Sequence, residues 1–276
     1  MFLTQYNGIL PVVGKVELCH IVKRLENYMI ELSPTVWVSK QAKISNNVIF
    51  GDNIHIYGEV EINENTIIEN NVVIGHPSPF ALSNIDLGRI SKLRDIYDAI
   101  SKGKAYIGSN SIIRSNTTIY NGVNIENNFD CAHNVIIREN CRIGKNCYVF
   151  PNTYFYNDVS VGNNCRIAGT LCARTTIGNY TSMLGHTSHK YRSGIGGEIE
   201  PAPAIHDGVI VGREAIIIGD VSVGNFSCIA ANSVILESTQ EYSLMAGTPA
   251  KLMRCREHSE VEKIISKMEA ERNGNN

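Results

Sequence analysis

Every sixth residue of this chain is aliphatic over long stretches. Val38, Ile44, Phe50, Ile56, Ile62, Ile68 and Ile74 form one series. A second runs from Ile107 through Ile113, Ile119, Ile125, Cys131, Ile137, Ile143, Val149, Phe155 and Val161 to Ile167. The pattern slips by two residues between Ala173 and Ile177, continues to Met183, and resumes as Ile205, Val211, Ile217, Val223, Ile229 and Ile235. Two positions before most of these sits a small or β-branched side chain, such as Ala42, Val48, Thr66 or Val72.

A helix repeats at 3.6 residues and a sandwich strand alternates at every second one, so neither produces a fixed period of six. Three six-residue sides close a triangular coil. Each side is a short strand whose inward aliphatic stacks on its equivalent one coil above, with strands about 4.8 Å apart. A single coil cannot bury its own apolar residues; stacking does. Counting Ala173, the 27 sides at three per coil predict an all-β parallel β-helix of nine coils. Corners fall at Asn46, Asn53, Asn65, Asn71, Gly122, Asn127, Asn146 and Asn163, residue types that tolerate left-handed backbone and bond to nearby main chain.

The breaks in the pattern divide the chain. Residues 1–35 lack it, and a helix from Val16 to Met29 is expected there as an N-terminal cap over the first coil. The β-helix should occupy 36–256, with insertions at 76–104 and 184–203; helical spacing is present from Ile90 to Ile100. Residues 257–276 read as a charged C-terminal helix and tail.

Composition narrows the class of partner. Net charge is −2, without a basic run, which argues against nucleic acid. Met1 to Gln5 has no basic, apolar leader, and no apolar run reaches the roughly 18 residues that span a bilayer, so a cytoplasmic protein with no membrane partner is expected. Eight cysteines without a C-x-x-C pair read as reduced core residues.

Two segments carry a family resemblance. The ending Ile229-Ala230-Ala231-Asn232-Ser233-Val234-Ile235, followed by Met245-Ala246-Gly247-Thr248-Pro249-Ala250-Lys251, resembles that of the hexapeptide-repeat acyltransferases. The middle, Ile112-Ile113-Arg114-Ser115-Asn116-Thr117-Thr118-Ile119-Tyr120 and His133-Asn134-Val135-Ile136-Ile137-Arg138-Glu139, is similar to nucleotide-linked amino-sugar N-acetyltransferases of the dTDP-3-amino-3,6-dideoxyhexose type. The resemblance covers about 105–256 and implies a left-handed coil and a homotrimer with sites between prisms. It implies acetyl-CoA or another acyl-CoA as cosubstrate, held by Ala230, Ala231, Gly247, Thr248 and Lys251. It further implies an amino-sugar acceptor and a place in surface polysaccharide (lipopolysaccharide) synthesis.

The residues add chemistry of their own. Asn121, Glu139 and Asn157 are 18 apart, one coil each, so they should stack as an outward column able to hold a hydroxylated or amine-bearing ligand. A sugar amine must lose a proton before it attacks a thioester, and histidine is the usual base. His133 lies inside the amino-sugar motif, and His186 and His189 lie on the second insertion. A hydroxyl acceptor, as in a sugar, serine or antibiotic O-acetyltransferase, would need His186 or His189. The histidine spacing does not place three on neighbouring coils, so no metal is expected.

Overall fold

The computed structural model describes residues 33–83, 92–190 and 201–274. The helix expected over Val16–Met29 lies outside the described residues. From Val36 onward the chain coils through three parallel sheets, each strand bonding to the one a coil away, as Val36 pairs with Ile54 and Ile119 with Ile137.

The first face holds seven strands, Val36–Val38 up to Thr170–Leu171, and is continued by three more: His186–Ser188, Ile216–Ile218 and Val234–Ile235. The second holds nine, from Lys43–Ile44 to Ser222–Val223. The third holds eleven and closes with an antiparallel hairpin, Ser243–Gly247 against Ala250–Cys255. The expected parallel β-helix is therefore present, taller than nine coils on two of its three faces.

The inward column is continuous. Ile56, Ile74, Ile119, Ile137, Phe155 and Leu171 stack along the first face with no solvent exposure. Leu171, opposite Phe155, is the inward residue of its side, and Ala173 sits half-buried at the corner. The slip thus falls one side earlier than the pattern suggests, between Ile167 and Leu171. A second short side runs from Met183 to Thr187, whose buried hydroxyl takes the inward position.

Corners turn on left-handed backbone three residues after the inward one. Asn128, Asn134, Asn140, Asn146 and Asn152 all have φ of 59–61°. Their amides ladder up the corner: Asn128 Nδ2 donates to Asn146 Oδ1 at 2.9 Å, and Asn146 Nδ2 to Asn164 Oδ1 at 3.0 Å. Asn127 and Asn163 act differently, accepting the backbone N–H groups of Ser109 and Lys145 one coil below, each at 2.9 Å. Asparagine suits both tasks because its short side chain tolerates the left-handed region and bonds main chain locally.

The first insertion leaves from the corner after the first face. Its short helix Pro79–Ser83 precedes the helix Leu93–Ile100, which lies over the outer side of that face. Tyr97 sets its ring edge against Tyr57 and His76, at 5.5 and 5.0 Å between centroids. The Gly58 N–H donates to Asp98 Oδ1 at 2.7 Å, and Ser101 Oγ donates to the Gly75 carbonyl at 2.6 Å. Gly75 has φ of 78°, and a Cβ there would come within 2.0 Å of the Tyr57 carbonyl oxygen, so only glycine fits.

At the far end a 3-10 turn, His258–Glu260, leads into the helix Glu262–Gly274. Arg256 Nη1 ties the turn to the Phe226 carbonyl at 2.6 Å, and Tyr180 Oη reaches the Lys267 carbonyl at 3.5 Å. Arg254 grips Glu260 through two bonds and holds that carboxyl down at about 2.

Two predictions follow from this packing. Phe155→Ala empties a fully buried site and should cost about 3–5 kcal/mol of stability, read by urea unfolding followed by circular dichroism. Burial under the insertion holds the His76 imidazole below its ordinary 6.5, against the opposing bond of its Nδ1–H to the Pro77 carbonyl. The unfolded chain then takes up the proton first, so this stabilisation is complete above pH 6.5 and drains away as pH falls below it. His76→Phe should flatten the acid limb of the stability–pH curve, measured by denaturant midpoints between about pH 5 and 8.

Candidate functional site

The corner between the third and first faces gathers most of the chemistry. Near its C-terminal end, Ala230 and Ala231 follow the strand Cys228–Ile229, and the Ala230 N–H donates to the Met245 carbonyl at 2.9 Å. The closing hairpin folds back onto this corner. The Gly247 N–H donates to Ser233 Oγ at 3.1 Å, and Thr248 Oγ1 donates to the Asn232 carbonyl at 3.1 Å. Lys251 is exposed on the outer strand, opposite Ala246. The structure therefore brings Ala230, Ala231, Gly247 and Thr248 to one edge, with a solvated ammonium beside them.

Lower on the same corner stands His133. Its Nδ1 faces Glu69 Oε2 at 3.7 Å, and its side chain is 52% exposed. Glu69 is itself held by the Ser115 N–H and hydroxyl at 3.1 and 2.9 Å, with Arg114 Nε at 4.0 Å. Arg114 also bonds Asp130. A carboxylate facing Nδ1 favours the proton there and leaves Nε2 as the open lone pair. Glu69 escaped the sequence reading because it lies two coils from His133, across the first insertion. Only the 18-residue register, extended through Ile68, Ile113 and Cys131, would have paired them.

The column of Asn121, Glu139 and Asn157 is real as a stack but differs from the outward triad expected. Asn121 is buried, its Nδ2 bonded to the Lys102 carbonyl of the insertion and its Oδ1 without a partner among the described residues. Glu139 is closed by its neighbour Arg138, at 2.7 and 3.1 Å. Asn157 Nδ2 bonds Asp158 at 2.5 Å and is the member nearest to solvent. Sequence spacing placed the three correctly along the corner and could not reveal the insertion that seals the first. Beside them the Arg138 guanidinium lies 5.9 Å from the rings of both Tyr120 and Tyr156, forming a flat aromatic–cation shelf.

Of the two histidines expected on the second insertion, His186 lies instead within the coil, on the strand His186–Ser188, and the two have unlike roles. His186 Nδ1 accepts the Thr170 N–H at 3.1 Å, which leaves the proton on Nε2, directed at Glu214 Oε2 at 3.2 Å. Next to it, Thr187 Oγ1 accepts the Cys172 N–H at 2.9 Å. These side chains substitute for the strand ladder where the first face breaks between Thr170–Leu171 and His186–Ser188. His186 therefore has no free lone pair for proton transfer, in contrast to its expected role as a base. His189 Nδ1 lies 3.4 Å from the Pro201 carbonyl, which favours the ring proton on Nδ1.

Among the described residues five cysteines are buried free thiols, as expected from the pattern, with Cys228 half-buried and Cys255 exposed. Burial pushes the Cys131 and Cys141 thiols up to about 12, which keeps them protonated and inert. Among the described residues no helix is long and apolar enough to cross a membrane.

Thr187→Val should strand the buried Cys172 N–H and cost about 1–3 kcal/mol, read by thermal or urea unfolding. Thr187→Ser, which keeps the acceptor, should recover most of that loss.

Comparisons with known proteins relate segments of the chain to several acyltransferases. The bacterial transferase hexapeptide family (six repeats) matches residues 140–171. Serine acetyltransferase from Haemophilus influenzae is 41% identical over 51 residues, covering 18% of this chain and 19% of that protein. The 2,3,4,5-tetrahydropyridine-2,6-dicarboxylate N-acetyltransferase of Brevibacillus brevis is 38% identical over 64 residues, 22% of this chain and 27% of its own length. The chain thus matches only about a fifth to a quarter of these relatives. Among solved structures, LpxA from Acinetobacter baumannii aligns with 85% of this chain and 76% of its own at 17% identity, with a TM-score of 0.43. Within the six-residue period and triangular coil, residues 140–171 thus carry the repeat of the bacterial transferase hexapeptide family.

Proposed function

We propose that this protein is an acyl-CoA-dependent acyltransferase that moves an acyl group, acetyl by default, onto the amino group of a nucleotide-linked amino-deoxy sugar. The observation that carries the reading is the corner built from Ala230, Ala231, Gly247 and Thr248, where backbone is open to close approach and Lys251 stands beside it as a point charge suited to phosphate. Two partial relatives named as acetyltransferases support acyl transfer in general.

In this reading coenzyme A lies along the corner between the third and first faces. From Ala231 down to His133 there are five coil steps, a rise of about 24 Å at 4.8 Å each, a length that a long extended cosubstrate spans. His133, oriented by Glu69, takes the proton from the acceptor amine through Nε2. The Tyr120–Arg138–Tyr156 shelf with Glu139 and Asn157 supports the sugar. His133 and Glu139 sit on adjoining corners with a full side of the prism between them, and a homotrimer would complete each site with a corner of the neighbouring prism.

A second reading is an O-acetyltransferase acting on a sugar, serine or antibiotic. It is favoured by His189, whose Nδ1 faces the Pro201 carbonyl and so leaves Nε2 as the ring nitrogen that would accept a hydroxyl proton.

Purified protein with acetyl-CoA, screened against dTDP- and UDP-linked 3- and 4-amino sugars by thiol release, tests the assignment. Turnover with an amino sugar is expected, with kcat lowered about 10²–10⁴-fold in His133→Ala and little changed in His189→Ala. Turnover confined to hydroxyl acceptors and abolished by His189→Ala would transfer the assignment to the second reading.

A further inference from the structure

A cleft of about 790 Å³ opens between the third face and the C-terminal helix, outside every residue discussed for acyl transfer. Its walls include Tyr148 and Arg166 from successive coils, Asn146 and Asn164 from the corner ladder, Tyr180, and Lys267 from the helix. None of the described lining residues is acidic. The helix is fixed in place by Tyr180 Oη on the Lys267 carbonyl and by Arg256 on Phe226, so the cleft is part of the built fold.

Arg166 lies 5.2 Å over the Phe150 ring, and Arg213 lies 5.9 Å from the same ring. Among the described residues no carboxylate comes within ion-pair distance of Arg166, Arg213 or Lys267. Elsewhere on the prism the partly buried guanidiniums of Arg114 and Arg138 each meet a carboxylate. Arg166, stacked on an aromatic ring, and Lys267 line one concave surface and form a receptor for a ligand that brings several negative charges. Arginine offers a planar fork for phosphate oxygens, and lysine a point charge. Tyr148, edge-on to Phe150 at 4.8 Å, adds an aromatic face beside the cations. The volume falls within the usual range of small-molecule sites, roughly 300–1,000 Å³, and well exceeds what a lone phosphate fills.

We propose that this cleft binds the phosphorylated part of a nucleotide, with Arg166 and Lys267 on the phosphates and the Tyr148 ring against the base. The shared chemistry is a nucleoside carrying at least two phosphoryl charges. Two sources could supply it: the diphosphate of a nucleotide sugar, or the phosphorylated adenosine end of coenzyme A. The assignment stands on the cleft itself and does not require the acyl-transfer reading.

Isothermal titration calorimetry on the full-length protein in its native assembly, with no acyl donor present, tests it. The probes are dTDP, UDP, adenosine 3′,5′-bisphosphate, pyrophosphate and thymidine. We expect at least one of the three nucleotides to bind, more tightly than pyrophosphate, with thymidine weaker still. Arg166→Ala and Lys267→Ala should each weaken that binding by about tenfold or more, Arg166→Lys should recover part of it, and the remote Lys43→Ala should not change it. Circular dichroism of each variant confirms that the prism is intact. Preference for dTDP or UDP identifies the nucleotide-sugar source, and preference for the adenosine bisphosphate the coenzyme source. No nucleotide binding, pyrophosphate bound as tightly as every nucleotide, or affinities equal in wild type, Arg166→Ala and Lys267→Ala would each overturn the proposal. Nucleotide binding that depends on Arg166 in a protein without acyl transfer would leave the cleft assigned and remove only the acyltransferase reading.

Discussion

The structure rests on one constraint: each coil can bury its aliphatic side chains only against the coils above and below. The inward residue of a side, such as Ile119, contacts Ile74 and Ile137 in register, and the backbone amides flanking it bond the neighbouring coils. Hydrophobic burial and strand pairing therefore act along the same axis, and both fix the spacing of everything on the outside. A corner residue is placed to within the strand spacing by a core residue two or three positions away. That is how a surface of short strands can hold a column such as Asn121, Glu139 and Asn157, or a guanidinium between two tyrosines, without loops to position them.

Departures from the regular coil coincide with the chemistry. Where the two short sides shorten the coil at Leu171 and Thr187, the ladder on the first face lapses, and His186 and Thr187 carry its hydrogen bonds with their side chains. The cost of the irregularity is met by groups that a sequence reader would assign to catalysis. Where the first insertion leaves the prism, Asn121 is drawn under it and removed from the surface. The closing hairpin, by contrast, leaves Gly247, Thr248 and Lys251 in solvent at the edge where Ala230 and Ala231 turn.

The fold was legible because a period of six has few explanations and asparagine recurs where left-handed backbone is needed. The misplacement of the slip at Ala173 has a simple origin: alanine and leucine both satisfy an apolar position, and only the buried register of Leu171 against Phe155 decides between them. The extra strands were not legible, since Thr187 is polar at its inward position and Met245 of the closing hairpin, paired with Ile229, lies outside the six-residue pattern. The site was legible along the corners and illegible across them. Spacing gave the column at residues 121, 139 and 157, but not the neighbour that closes Glu139, nor the Glu69 that faces His133. Both are contacts between outward side chains, and the period constrains only the inward ones.

The central claim is that a corner of stacked coils, shared between identical prisms, receives an acyl-coenzyme A. Sedimentation velocity combined with equilibrium dialysis of radiolabelled coenzyme A measures both halves at once. The account predicts a trimer that binds one coenzyme A per chain, with binding weakened when Lys251 is replaced by alanine. A monomer, or an assembly of any size with no measurable affinity for coenzyme A, would contradict it.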